Sequence, residues 1–422
     1  MQTPNPVAVL FLTLLLVGCS STPKLMPTPN IYTNGGSYPD LGVPHGLKSN
    51  EIDLLFVTDR DPKTSADGTL EYGTGRSASM GFGSAIVEIG NDLSWQELVE
   101  MSETSSRSIS PSVRVISRNE IGRFPATPYL IVEDKGKFRA NPEALVKFDQ
   151  VAWQLRQEIN LRMSKTSRKE IHVFIHGFNN SFDQAAVSLA ELWHFLGRQG
   201  VPLLYSWPAA HGGLFGYFTD RESGEFTIYH LKNLLRLLAS SPEVERINLF
   251  AHSQGANIAS TALRELIIEA RAGDHNPREL YRIENLILAA PDLNFDIVRQ
   301  RLMAERIGLA FGQVTVYTTN TDKALSLSQT LMSGTRFGRI RVSDLSEQDQ
   351  AIFKAVNNIA FIDVRSAQSF IGHSYYLNDP STSSDIIRTI NNGSKPGSPK
   401  RPLTHRMLIF WEMPIDYPGS SD

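Results

Sequence analysis

From residue 171 onward the chain alternates short, unbroken apolar runs with longer amphipathic stretches, and this alternation limits its fold more than any other feature. Residues 171–175, 201–205, 247–250, 283–288, 314–318 and 359–364 are dominated by aliphatic and aromatic side chains. Helical periodicity fills the intervals, over about Ser181 to Arg198, Glu222 to Ala239, the stretch from Ser253 to about Arg271, and Phe295 to Glu305. Strands that lack a polar face must be covered on both sides, which calls for helices above and below a parallel sheet. The expected fold is therefore α/β, with a mostly parallel central sheet.

Ahead of this region, residues 51–133 read as short strands and hairpins, with strand-like enrichment at Ile52–Thr58, Ser84–Ile89 and Val113–Ile116. The Gly/Ser-rich stretch from Gly73 to Gly83 lacks the Lys-Ser/Thr ending of a phosphate-binding loop and reads as a long hairpin connection. A helix is expected over Asn141 to Met163. Residues 51–392 are taken as one domain, followed by a C-terminal segment, 393–422.

The amino end carries a different message. The apolar run Val7–Val17 is too short to cross a bilayer, which takes about 20 residues, but it suits the core of an export signal. Leu16-Val17-Gly18-Cys19 follows and resembles the lipobox of bacterial lipoproteins. That resemblance implies a signal peptide over 1–18 and a diacylglyceryl group, with its palmitate-like chains, on the thiol of Cys19. Ser20 in place of aspartate implies sorting to the outer membrane, facing the periplasm. Residues 19–50, rich in Pro, Gly, Ser, Thr and Asn, read as a flexible tether. Cys19 is the one cysteine of the 422 residues, so an intramolecular disulfide is excluded. The net charge of −3, with no block of like charge, gives no reason to expect a nucleic-acid partner. Oligomeric state is not legible.

Chemistry concentrates at Arg246–Asn257, where an apolar strand runs into Ala251-His252-Ser253-Gln254-Gly255 and a helix begins at once. This is the pattern of a nucleophile elbow, a tight strand-to-helix turn that exposes a serine hydroxyl. The other reading is that Ser253 caps the following helix. In parallel sheets reactive groups gather beyond the carboxyl ends of the strands, and Asp322 and His373 are expected there too. A serine hydroxyl needs an imidazole to accept its proton, and a carboxylate to orient that imidazole. His373, on a Gly-flanked loop after the last core strand, is the best base. His252 is expected to point away along its strand, and His405 to sit at the wrong end of an element. For the acid, Asp322 is favoured, with Asp292 of Ala289-Ala290-Pro291-Asp292 as the alternative.

The chain resembles the α/β-hydrolase superfamily, and more closely a bacterial family of hydrolases known as a domain of unknown function. The likeness rests on His172–Asn180, Leu204–Pro208, Tyr217–Ser223, Ala251–Gly255, Ala289–Asp292, Asn320–Leu325 and Gly372–Tyr375. The order Ser, Asp, His along the chain is that of the superfamily. The resemblance implies an oxyanion hole formed by the backbone N–H groups of Phe178, in a His-Gly-Phe element, and Gln254. Ala209–Phe218 reads as a Gly-rich flap over the site. His172 and His176 have no third ligand nearby, so no metal or other cofactor is expected. Together these readings predict a lipid-anchored serine hydrolase of the carboxylesterase or lipase kind, acting on a small-molecule or lipid ester. The rival is a non-catalytic envelope lipoprotein that uses the scaffold for binding.

Overall fold

A computed structural model describes residues 22–33, 36–128, 131–139, 141–365 and 372–419. The expected signal peptide and Cys19 lie outside the described residues. Thirteen strands are found among them: β1 (Glu51–Thr64), β2 (Leu70–Ile89), β3 (Val113–Arg123), β4 (Val132–Asp134), β5 (Lys137–Arg139), β6 (Glu170–Ile175), β7 (Val201–Ser206), β8 (Arg246–His252), β9 (Ile283–Ala289), β10 (Gln313–Thr318), β11 (Ile359–Asp363), β12 (Thr404–Met407) and β13 (Phe410–Glu412). The helices of eight residues or more are α1 (Trp95–Glu103), α2 (Pro142–Met163), α3 (Phe182–Phe195), α4 (Gly213–Ala239), α5 (Gln254–Ala272), α6 (Lys323–Met332), α7 (Glu347–Ala355) and α8 (Pro380–Asn392). No helix among the described residues is long and apolar enough to cross a membrane.

Eleven strands form one sheet in the order β12-β13-β11-β10-β9-β8-β6-β7-β1-β2-β3. The eight from β13 to β1 are mutually parallel; β2 next to one edge and β12 at the other run against them, and the edge strand β3 pairs antiparallel with β2. The apolar runs explain the centre of this order, because β6 and β7 are buried at every residue and so must be sheathed on both faces. One hydrophobic layer places α2, α4 and α5 against the sheet. The opposite layer places α3, α8 and the N-terminal segment against its other face. Chain direction across the sheet reverses at β6, which has β7 on one side and β8 on the other. Such a reversal opens a crevice at the carboxyl ends of the strands.

Four expectations are corrected. Residues 22–33 and 36–50 do not hang free: Leu25, Met26, Tyr32, Tyr38 and Val43 are buried, and the Tyr32 hydroxyl donates to the Phe195 carbonyl at 2.6 Å. Aromatic anchors outweigh the Pro- and Gly-rich composition of this stretch. Gly73–Gly83 is not a loop but the middle of β2, which pairs with β1 on one side and β3 on the other. The C-terminal segment adds β12 and β13 to the sheet edge. The helix expected over Phe295–Glu305 is irregular, with a π-helical turn over Val298–Met303.

Candidate active site

The crevice at β6 and β8 is built by close backbone contact. Between β8 and α5 lies Ser253, with φ 53° and ψ −120°, a conformation that L residues rarely adopt. A Cβ at Gly255 would run into the carbonyls of Ile175 and His176, and one at Gly177 would meet Ser253 Cβ at 2.9 Å. Only glycine at both positions lets the turns after β6 and β8 nest this tightly. The Ser253 N–H donates to the Ala289 carbonyl at 2.9 Å, and its own carbonyl accepts from Asp292 N–H at 3.2 Å. Its side chain makes no cap to α5. Ser253 is therefore not a helix cap, and the strained turn aims its hydroxyl elsewhere.

That hydroxyl meets His373. Nε2 of His373 lies 2.7 Å from Ser253 Oγ, and Nδ1 lies 2.8 Å from Asp322 Oδ2. Asp322 is 1% exposed, so its carboxylate must find its partners within the protein. One oxygen takes the imidazole, and the other accepts the Leu325 N–H at 2.9 Å as the N-cap of α6. A proton held on Nδ1 by the carboxylate leaves the Nε2 lone pair facing the hydroxyl, the arrangement needed to deprotonate it. Asp292 is engaged elsewhere: it accepts from Tyr217 Oη at 2.8 Å and Ser328 Oγ at 2.7 Å, with Arg336 Nε at 3.4 Å.

His252 does not point away along its strand. Its Nε2 donates to the His373 carbonyl at 3.0 Å, and the two rings lie 4.8 Å apart. Burial, reinforced by the neighbouring His373, holds its pKa well below the usual range, so the ring is neutral and acts as a prop for His373. His405 lies on edge strand β12, bonded to the Leu408 carbonyl. No acceptor engages the N–H of Phe178 or of Gln254 among the described residues. Both are free to bond a developing oxyanion.

Several supporting residues escaped the sequence reading. The carboxylate of Asp220, fully buried, accepts from the N–H groups of Asn179, Ala210 and His211 at 3.0, 3.2 and 3.3 Å, and from His211 Nδ1 at 2.6 Å. The Phe178 ring rests against that of Tyr217 at 5.4 Å. Beneath them Arg60 donates to the carbonyls of Asn180 and Ala209 at 2.6 and 3.0 Å. Burial lowers the Arg60 pKa to about 10 and, with that guanidinium, pushes His176 down to about 3. His176 is thus a neutral structural residue. The expected flap over Ala209–Phe218 is helical from Gly213 onward, as the first turns of α4. Glycines at 212, 213 and 216 hide that helix from propensity, while the Asp220 and Tyr217 contacts hold it in place.

One family model agrees with this architecture. The model of a family described as "Alpha/beta hydrolase of unknown function (DUF900)" matches residues 152–390. No curated protein sequence matches. Among solved structures, the chain is similar to a fungal esterase from Rhizomucor miehei, at 14% identity over 53% of this chain and 71% of that one, with a TM-score of 0.26. It is similar to ESTFA in an apo form at 13% identity, over 54% of this chain and 76% of that one, with a TM-score of 0.26. A lipase-esterase related protein from Clostridium acetobutylicum ATCC 824 follows at 12% identity, over 50% and 80%, with a TM-score of 0.22. With more than half of its length matched by the family model, the chain belongs to the α/β-hydrolase family of unknown function, DUF900.

Proposed function

We propose that the protein is a serine hydrolase that cleaves carboxylic esters through an acyl-enzyme. The observation that carries this reading is the unbroken hydrogen-bonded path from Asp322 through His373 to Ser253 Oγ, at 2.8 and 2.7 Å. Ser253 Oγ attacks the ester carbonyl as His373 Nε2 takes its proton. The resulting oxyanion bonds the N–H groups of Phe178 and Gln254 while Asp322 stabilises the imidazolium. His373 returns the proton to the departing alkoxide, leaving the acyl group on Ser253. Water, activated by the same imidazole, then releases the acid. A fluorophosphonate probe should label the wild type, and Ser253→Ala should abolish both labelling and hydrolysis of short p-nitrophenyl esters. Undiminished labelling of Ser253→Ala would remove Ser253 as the nucleophile.

We propose further that Cys19 carries the lipid anchor, which would hold the enzyme at the outer membrane. Incorporation of labelled palmitate in bacterial cells should be lost in Cys19→Ala. Equal incorporation into both proteins would exclude that anchor.

A further inference from the structure

A second cavity lies away from Ser253, on the α5 side of the sheet, with a volume of about 520 Å³. This falls within the roughly 300–1,000 Å³ common for small-molecule sites. Its floor is the inward faces of β9, β10 and β11, including Leu288, Val316 and Phe361. Its walls are the irregular segment from Val298 to Phe311 and the end of α7. That segment is a π-helical turn, then a left-handed Arg306 at φ 50°, then a 3-10 turn. A π turn widens a helix locally and often accompanies a functional site.

The lining chemistry selects a ligand. Two polar side chains line the cavity, Ser260 on its inner wall and Arg306 at its rim; the rest is apolar or glycine. Arg306 is exposed, and its guanidinium has no carboxylate partner among the described residues. The neighbouring Glu305 is instead paired with Arg264 and Arg271. Leu309, 60% exposed beside it, marks the opening. An apolar lining offers water no hydrogen-bond partners, so an apolar group is favoured there. An unpaired cation at the mouth favours a ligand whose head is an anion.

We infer that this cavity binds a single acyl chain bearing a carboxylate head, with the tail inside and the head at Arg306. The site is separate from the hydrolytic one. Arg306 precedes the amino end of β10, whereas Ser253 follows the carboxyl end of the parallel strand β8, at the opposite rim of the sheet. The inference does not rest on the role proposed for Ser253.

Calorimetric titration of the full chain with dodecanoate, below its micellar concentration, tests it. One dodecanoate should bind per chain, more tightly than dodecanol, and Ser253→Ala should bind it equally. Arg306→Ala should weaken dodecanoate about tenfold and erase the preference over dodecanol. Leu309→Glu, at an exposed position that leaves the fold intact by circular dichroism, should weaken it at least as much, by repelling the head. No saturable binding to the wild type would overturn the site. So would dodecanoate affinity that is unchanged in both rim variants, or that is lost in Ser253→Ala.

Discussion

The carboxylate of Asp220, in the second turn of α4, accepts the backbone N–H of Asn179 at 3.0 Å, and so ties that helix to the loop whose preceding residue is Phe178. The same carboxylate gathers the N–H groups of Ala210 and His211. One buried anion thereby fixes the position of the oxyanion donor proposed at Phe178, without touching Ser253 or His373.

Asp220→Asn should therefore act on rate more than on substrate binding. The amide keeps the shape but turns an N–H donor toward backbone donors, which loosens the Phe178 loop. Loss of a single oxyanion donor costs roughly 10²–10³ in turnover, and misplacing one should cost about ten- to a hundredfold in kcat with little change in KM. Steady-state kinetics on p-nitrophenyl butyrate reads this directly. An unchanged kcat would show that Asp220 serves the fold alone.

The two candidate acids separate by substitution. Asp322→Asn presents the wrong hydrogen-bonding face to His373 Nδ1 and should lower kcat by about 10⁴, the loss that follows when the acid of a Ser-His-Asp triad is changed in this way. Asp292→Asn disturbs only the Tyr217, Ser328 and Arg336 contacts, so its loss should stay within about tenfold. The reverse ranking in kcat would make Asp292 the acid.

Backbone nesting at the elbow predicts a stability effect far larger than the chemical change suggests. Gly255→Ala puts a methyl group into the carbonyls of Ile175 and His176. Overpacking against rigid backbone should destabilise by about 3 kcal/mol or more. Urea denaturation followed by tryptophan fluorescence measures it, and a midpoint equal to wild type would contradict this packing.

Acid should destabilise the protein well above the pH at which ordinary carboxylates titrate. His172, His176, His194 and His252 are buried, and burial lowers the pKa of each. An unfolded chain binds protons at these rings below about pH 6.5 while the native state does not, so stability present above that pH is lost as pH falls. Glu191 works in the opposite sense: burial raises its pKa to about 8, and its contribution, present below its ordinary value of 4.5, fades as pH rises toward 8. With four histidines against Glu191 and Asp363, whose pKa burial also raises, the urea midpoint should fall between pH 6.5 and 5. In Glu191→Gln that residue's opposing contribution is gone, so the midpoint should fall more steeply on acidification. A midpoint that rises on acidification of the wild type would refute the neutral burial of these histidines.

Much of the site could be read along the chain because each piece is locally encoded. Strand β8 followed by Ala251-x-Ser253-x-Gly255 specifies its own turn, and Asp322 and His373 each follow a strand whose apolar run is unmistakable. What escaped was encoded at a distance. Asp220 falls in a stretch whose glycines suggest a loop, and only its bonds to Asn179, Ala210 and His211 reveal its task. His252 seemed idle because alternation along a strand says where a side chain points, not what packs over it. Arg60 comes from β1, well over a hundred residues from the loops it braces.

By itself the sequence determined the layered α/β architecture, the parallel centre of the sheet and the elbow at Ser253, because apolar periodicity and glycine spacing act over a few residues. Tertiary structure alone decided which carboxylate reaches His373, that residues 22–33, 36–50 and 404–412 join the body, and that an apolar cavity opens under β9–β11. Those outcomes depend on which distant surfaces meet. Burial energies summed over many contacts settle that, and no short window of residues contains them.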